Sequence, residues 1–249
     1  AGVYAALAVM WVGASNIIVP AFDPGAVLDI VEHERITCAI AVPAMLAAMI
    51  EAQAASPRDV SRLRWLSHGA SPIALEVLKR GLELFGCELI HLYGATELSP
   101  LATIFRHEDR FLDGDRAKSC GQAPPGVDLQ IRDVEGRRLA AGDVGEVTVK
   151  VPNVTVGYCN NPAETKAALA ADGSYRTGDL GYLDGEGYLF LVDRSKDMIV
   201  SGGENVYCTE VEDAIYTHPQ VLEATVFGVP DDQWGEAVHA VVVPREGSA

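Results

Sequence analysis

Between Ile17 and Tyr93 the chain repeats one pattern: a short apolar run, then an amphipathic stretch, then another apolar run. In order these are "NIIV", "DPGAVLDIVEHE", "TCAIAV", "PAMLAAMIEAQA", "RWLSHGA", "SPIALEVLKRGLELF" and "ELIHLY". Apolar runs this short have strand length, and strands without polar alternation imply a sheet that intervening helices cover on both faces. Asp23 before Pro24 and Ser71 before Pro72 each supply an N-cap with proline in the first turn, and Leu75, Leu78, Leu82 and Phe85 recur at helical spacing. This half of the chain reads as α/β.

From Gly126 the texture changes to period-two strands with tight turns: "GVDLQIRD", "VEGRRL", "GEVTVKV" and "DLGYLDGEGYLFLVD", with a hairpin turn at Asp184-Gly185-Glu186-Gly187. A small, mostly antiparallel β region is expected there. After "DRSKD" come a strand "MIV", a helix from Thr209, and strands "EATVFGV" and "EAVHAVVVP". Thr209-x-x-Glu212 reads as a capping box, with Val211, Ala214 and Ile215 on one face and Pro219 past the end. Because this α+β part stops just after an apolar strand, it is expected to be truncated.

Composition excludes several function classes. The chain has 249 residues, 49% of them hydrophobic, which is enough for a sizeable core. With 19 Lys+Arg against 35 Asp+Glu, the net charge of −16 repels nucleic acid and anionic membranes, so an anionic ligand must be held by local groups or a metal. Cys38, Cys87, Cys120, Cys159 and Cys208 form no C-x-x-C pair, which points to neither a zinc site nor a disulfide framework and favours a reducing, cytoplasmic setting. Residues 1–22 carry no charge, but Gly13, Asn16 and Pro20 interrupt them and no basic region precedes them; a helix running into a buried strand is the expectation, not a transmembrane segment.

The chemistry-bearing candidates lie beyond strand ends. "LYGATELSP" ends a strand at Tyr93 and puts Gly94, Thr96 and Glu97 in the following loop, where open α/β sheets bind ligands. Glu97 can hold Mg²⁺ and Thr96 can donate to a phosphate oxygen; a glycine turn followed by a helix cap gives the same residues. "SHGASP" repeats the arrangement one strand earlier, with Gly69 and Ala70 permitting close backbone approach. Asp179 in "YRTGDLGYLD" can accept from two ribose hydroxyls, although aspartate is also common in turns. His68 and His91 lack an acidic partner at obvious spacing and read as core or rim histidines. Val42, Met45 and Leu66 offer apolar linings that fit several acids.

Taken together, "YGATE", "YRTGDLGYLDGEGY", "VDRSKDMIVSGGENVYCTEVE" and "VFGVPDDQWGEAV" resemble, in order and approximate spacing, the adenylate-forming superfamily, most closely its fatty-acyl-CoA synthetases. The resemblance implies that residues 1–193 are a portion of a large AMP-binding domain, α/β to about 125 and β-rich over about 126–193. It further implies a hinge at 194–197 and a truncated lid domain at 198–249. The implied reaction takes a carboxylic acid and Mg·ATP to an acyl-adenylate and pyrophosphate, after which coenzyme A displaces AMP. By the same resemblance Tyr93 would pack on adenine, Thr96 contact the α-phosphate and Glu97 bind Mg²⁺. Gly69, Ala70 and Ser71 would line the adenine and acyl pocket, with Gly94 beside them. Asp179 and Arg194 would hold the ribose, and Lys196 would be the hinge residue. Ser201, Gly202, Gly203 and Glu204 would follow the pantetheine tunnel, flanked by Trp234.

Two parts of the family pattern have no counterpart: the Ser/Thr/Gly-rich phosphate loop with its lysine, and the lysine near the family's C-terminus. Such groups supply much of the electrostatic stabilisation, so the resemblance implies a weakly active or inactive internal fragment. Two other readings stand beside it. A peptide-synthetase adenylation domain would carry a basic K-[IV]-R-G stretch where this chain has "SGGEN", and a non-catalytic nucleotide-binding protein would lack the same lysines. Implied partners are a small carboxylic acid, ATP and coenzyme A, with a homo-oligomer left open.

Overall fold

The structure, a computed structural model, describes residues 2–70, 73, 75–99, 101–107, 115–231 and 233–245. The chain divides into two compact units, Ala1–Leu129 with Val149–Tyr175 and Glu186–Leu189, and Gln130–Thr148 with Arg176–Gly185 and Phe190–Ala249.

In the first unit, α1 (Gly2–Trp11) is followed by α2 (Pro24–His33), β1 (Cys38–Ala41), α3 (Pro43–Ala55), β2 (Trp65–Gly69), α4 (Leu75–Phe85), β3 (Glu88–Tyr93) and β4 (Thr103–His107). The sheet order is β1-β2-β3-β4, with the first three strands parallel and β4 antiparallel to β3. Leu28 and Val31 of α2, Leu46, Met49 and Ile50 of α3, and Leu78 and Phe85 of α4 pack on Ala41, Leu66 and Leu89 of the strands. Each such fully buried side chain contributes about 1.5–3 kcal/mol. The Asp23 cap forms as expected: its carboxylate accepts from Ala26 N at 2.7 Å, ahead of Pro24. The expected Ser71–Pro72 cap lies outside the described residues. Helix α5 (Pro162–Ala168), capped by Asn161, also belongs to this unit.

Two expectations fail here. "NIIV" is not a strand: residues 14–19 are irregular, with Ile18 83% exposed, because no described neighbour offers it a ladder. Nor do helices cover both faces of the sheet among the described residues. In β2 burial alternates, with Leu66 and His68 enclosed and Trp65, Ser67 and Gly69 half-buried, and Ile40 of β1 is exposed. Leu66 and Met45 consequently pack into the helix-side core rather than lining a pocket, and Val42 is exposed.

The β-rich segment forms a sheet ordered β5 (Asp128–Arg132), β6 (Gly145–Lys150), β7 (Tyr175–Leu183) and β8 (Leu189–Arg194), with the expected turn between the last two. "VEGRRL" contributes a turn and a single bridge, Arg132 to Arg138, rather than a strand. The C-terminal part of the second unit holds β9 (Ile199–Ser201), β10 (Glu204–Val206), α6 (Cys208–Tyr216), β11 (Val221–Asp231) and β12 (Gly235–Pro244), ordered β10-β9-β12-β11. Val211 and Ile215 of α6 pack against Ile199, Cys208 and Val226, whereas Ala214, expected on the same face, is exposed.

The capping box does not form. Helix α6 starts at Cys208, so Thr209 is inside it, and the Glu212 carboxylate accepts from Val226 N of β11 at 2.8 Å. The helix N-terminus is served instead by Asp193, whose carboxylate accepts from Cys208 N at 2.6 Å. Among the described residues the cysteines are free and no helix is long and apolar enough to cross a membrane.

Candidate functional site

In the first unit the candidate residues gather beyond the parallel strand ends of β2 and β3. Gly69 ends β2 so close to β3 that a Cβ would sit 2.2 Å from the Leu92 carbonyl oxygen, and only glycine fits. Ala70 follows in the left-handed region, φ 74°, a conformation that costs a non-glycine residue and is held by its surroundings. Ser71 lies outside the described residues. Beyond β3, Tyr93 is half-buried, Gly94 and Thr96 are exposed, and Thr96–Leu98 forms a 3-10 turn that presents Glu97.

That turn is tied to the segment 153–158. Thr155 N donates to the Glu97 carbonyl at 2.7 Å, Asn153 Nδ2 donates to the Leu98 carbonyl, and Ser99 Oγ donates back to the Asn153 carbonyl. The Tyr158 hydroxyl donates to Glu97 Oε1 at 2.8 Å. Tyr175 is buried beside Tyr158 and the Glu97 carboxylate; burial first, then those two neighbours, push its phenol well above the ordinary range. Tyr175 favours the phenolate of Tyr158, but the Glu97 carboxylate, burial and Glu164 together outweigh it and the Tyr158 phenol is also raised. Both tyrosines are therefore neutral donors at neutral pH. Among the described residues no three His, Cys, Asp or Glu cluster as a metal cage. A single fixed carboxylate suits Mg²⁺, which keeps most of its waters and commonly binds one or two carboxylates together with substrate phosphates.

His68 and His91 stack in register between β2 and β3, ring centroids 4.9 Å apart, which fits the core reading. Burial depresses the His91 pKa, opposed by a hydrogen bond to the Ser119 carbonyl. Below the unfolded value of about 6.5 the unfolded chain gains a proton there that the native chain resists, so stability falls as the pH drops through that value. The urea midpoint should accordingly decline from pH 7.5 to 5.5, and His91→Asn should flatten the decline; equal slopes would remove His91 as its source.

In the second unit Asp179 follows Gly178, whose φ is 74°, and lies 3.5 Å from Arg194 Nε at the end of β8. Ser195 N donates to the Gly178 carbonyl at 2.8 Å, which fixes this pair across β7 and β8. Lys196 is exposed in the turn between β8 and β9, closed by Asp197 N and Met198 N donating to the Arg194 carbonyl. Ser201 and Glu204 pair across the β9–β10 turn, where Gly202 and Gly203 have φ of 61° and 86°. Trp234 comes against this turn: its carbonyl accepts from Gly202 N, and a Cβ on Gly202 would meet its ring at 2.9 Å. The room beside Gly202 is thus taken by the indole, while nothing lies within 4 Å of a Cβ on Gly203.

The AMP-binding enzyme family matches residues 1–159, and its C-terminal domain matches residues 210–249. The chain belongs to the AMP-binding enzyme family. Over 235 residues it is 41% identical to an indoleacetate–CoA ligase of Aromatoleum aromaticum, covering 94% of this chain and 45% of the relative. Over 237 residues it is 40% identical to a medium/long-chain-fatty-acid–CoA ligase of Mycobacterium tuberculosis, covering 95% and 41%. The chain therefore spans less than half the length of these relatives. The solved o-succinylbenzoate coenzyme A synthetase of Bacillus subtilis, in complex with ATP and magnesium ion, superposes with a TM-score of 0.87 at 31% identity, over 100% of this chain and 50% of that one.

In this member of the family the sequence pattern singled out Thr96, Glu97, Asp179 and Arg194, and the structure pairs the last two. The pattern assigned no role to Tyr158, nor to Tyr175 and Asp193, which stand inside the quoted motifs. Tyr158 follows Gly157 in an irregular segment, where no periodicity marks a functional side chain; a phenol next to a glycine of φ 139° is the one local signal.

Proposed function

We propose that the intact protein is an AMP-forming acid–thiol ligase that activates a carboxylic acid, a fatty acid by preference, as its adenylate and passes the acyl group to coenzyme A. The observation that carries this reading is the Glu97 carboxylate, fixed beyond the end of β3 next to the exposed Thr96. Relatives that ligate indoleacetate and medium- to long-chain fatty acids to coenzyme A support the reaction class.

In this reading Gly69, Ala70, Ser71 and Gly94 let the backbone approach the nucleotide and acyl group, and Tyr93 packs on adenine. Thr96 donates to the α-phosphate, and Glu97 holds the magnesium ion. Magnesium, when bound, offsets the negative charge that develops on the phosphates as pyrophosphate departs. Asp179 accepts from the ribose hydroxyls, and Arg194, 3.5 Å away, stands beside it as an ion-pair partner. Lys196 is the hinge residue, in a turn whose exposure lets a few torsions reorient the segments around it. Ser201, Gly202, Gly203, Glu204 and Trp234 border the path of the thiol.

The test is pyrophosphate exchange by the intact protein against straight-chain fatty acids, aryl acids such as indoleacetate, and amino acids. Exchange strongest with fatty acids is expected. Exchange only with aryl acids would sink the fatty-acid preference, and exchange only with amino acids would sink the acid–thiol ligase.

A further inference from the structure

If Glu97 binds magnesium, as read above, its geometry needs a cause, because a glutamate carboxylate turns through a broad torsional well and its side chain carries substantial rotamer entropy. The structure supplies one. Tyr158 Oη donates to Glu97 Oε1 at 2.8 Å, and the buried Tyr175 interacts electrostatically with both Tyr158 and that carboxylate. Tyr158 is itself placed from behind: its N–H donates to Thr165 Oγ1 at 2.9 Å, and Thr165 Oγ1 donates to the Asn161 carbonyl at the start of α5. Gly157 sits against the same threonine, where a Cβ would meet its Cγ2 at 2.6 Å. The backbone around Glu97 is held to the same segment by Thr155 N.

Tyr158 is not core filler. It borders a surface hollow of about 710 Å³ shared with Val156, Asn160, Asn161 and Lys166. A phenol also suits the task better than lysine or arginine would, since a neutral donor orients a carboxylate without cancelling the charge a cation needs.

We propose that Tyr158, backed by Tyr175, is a positioning residue that holds the Glu97 carboxylate in the orientation in which it binds magnesium. The inference rests on the reading of Glu97 given under the proposed function. Its test is Mn²⁺ binding to the intact protein in the presence of ATP, read by electron paramagnetic resonance of free Mn²⁺. Tyr158→Phe should raise the Mn²⁺ dissociation constant about tenfold, and Tyr175→Phe by a smaller factor. The Mg²⁺ concentration for half-maximal pyrophosphate exchange should rise in parallel, with a smaller change in the rate at saturating Mg²⁺.

A Tyr158→Phe protein that melts at lower temperature yet binds Mn²⁺ within about twofold of the parent has lost only a structural contact, which overturns the inference and leaves the ligase reading intact. Should that variant not fold, unchanged Mn²⁺ affinity in Tyr175→Phe overturns it equally. A parent protein that binds no Mn²⁺ with ATP removes the role of Glu97, and the inference falls with it.

Discussion

Replacing Glu97 by glutamine in the intact protein should lower acid-dependent pyrophosphate exchange by about a hundredfold while leaving the fold in place. The amide oxygen can still accept from Tyr158, and Thr155 N bonds the Glu97 carbonyl, which the substitution keeps. What is lost is the negative charge. Preorganised electrostatic groups of this kind commonly account for about 10²–10³ in rate when one is removed. The measurement is exchange rate against Mg²⁺ concentration, with near-ultraviolet circular dichroism to check packing. A loss below about threefold at every Mg²⁺ concentration would remove Glu97 from the site and shift attention to Asp179 and Arg194.

The largest expected effect on stability is at Gly121. Its φ is 90°, and a Cβ there would lie 2.1 Å from the Ile104 carbonyl oxygen and 2.5 Å from Phe105 N. These are backbone atoms of β4, so no side chain can swing aside. Gly121→Ala would force β4 away from residues 120–122, against the Ile104–Gln122 and Gly121–Leu189 bridges. Left-handed backbone costs a non-glycine residue about 1–2 kcal/mol and overpacking adds about 1–3 kcal/mol, a large part of the roughly 5–15 kcal/mol that holds a typical domain together. Gly173→Ala is the control: its φ is 82° but nothing lies within 4 Å of a Cβ, so only the backbone cost of about 1–2 kcal/mol applies. Urea midpoints should fall far more for Gly121→Ala; equal falls would show that backbone conformation alone sets the cost.

The features that the sequence made legible are those whose causes are local. Asp23 and Pro24 cap α2 because cap, proline and the receiving N–H lie within a few residues. The alternation of apolar run and amphipathic stretch placed β1, β2 and β3, and glycine-rich turns marked the β5–β8 sheet. What escaped depends on partners distant in sequence. The N–H of Cys208 is served by Asp193, 15 residues earlier, and the helix begins at Cys208, which leaves Thr209 inside it rather than at the cap. "NIIV" has strand composition, but a strand exists only with a neighbour to pair with. At the site, motif loops identified the residues that face outward, while Tyr158 reaches Glu97 across 61 positions of sequence.

The Asp193 carboxylate has a mechanical consequence. It stands before the turn at 194–197 and accepts from the first N–H of a helix that begins after it, so in the hinge reading proposed above it acts as a detent on that joint. A helix cap of this kind is worth about 1 kcal/mol, which biases two orientations by about fivefold without locking either. Under the hinge role proposed for this turn, rotation about it would proceed as a click between positions rather than a free swivel, and the side chain that sets the stiffness of the click lies outside the joint itself.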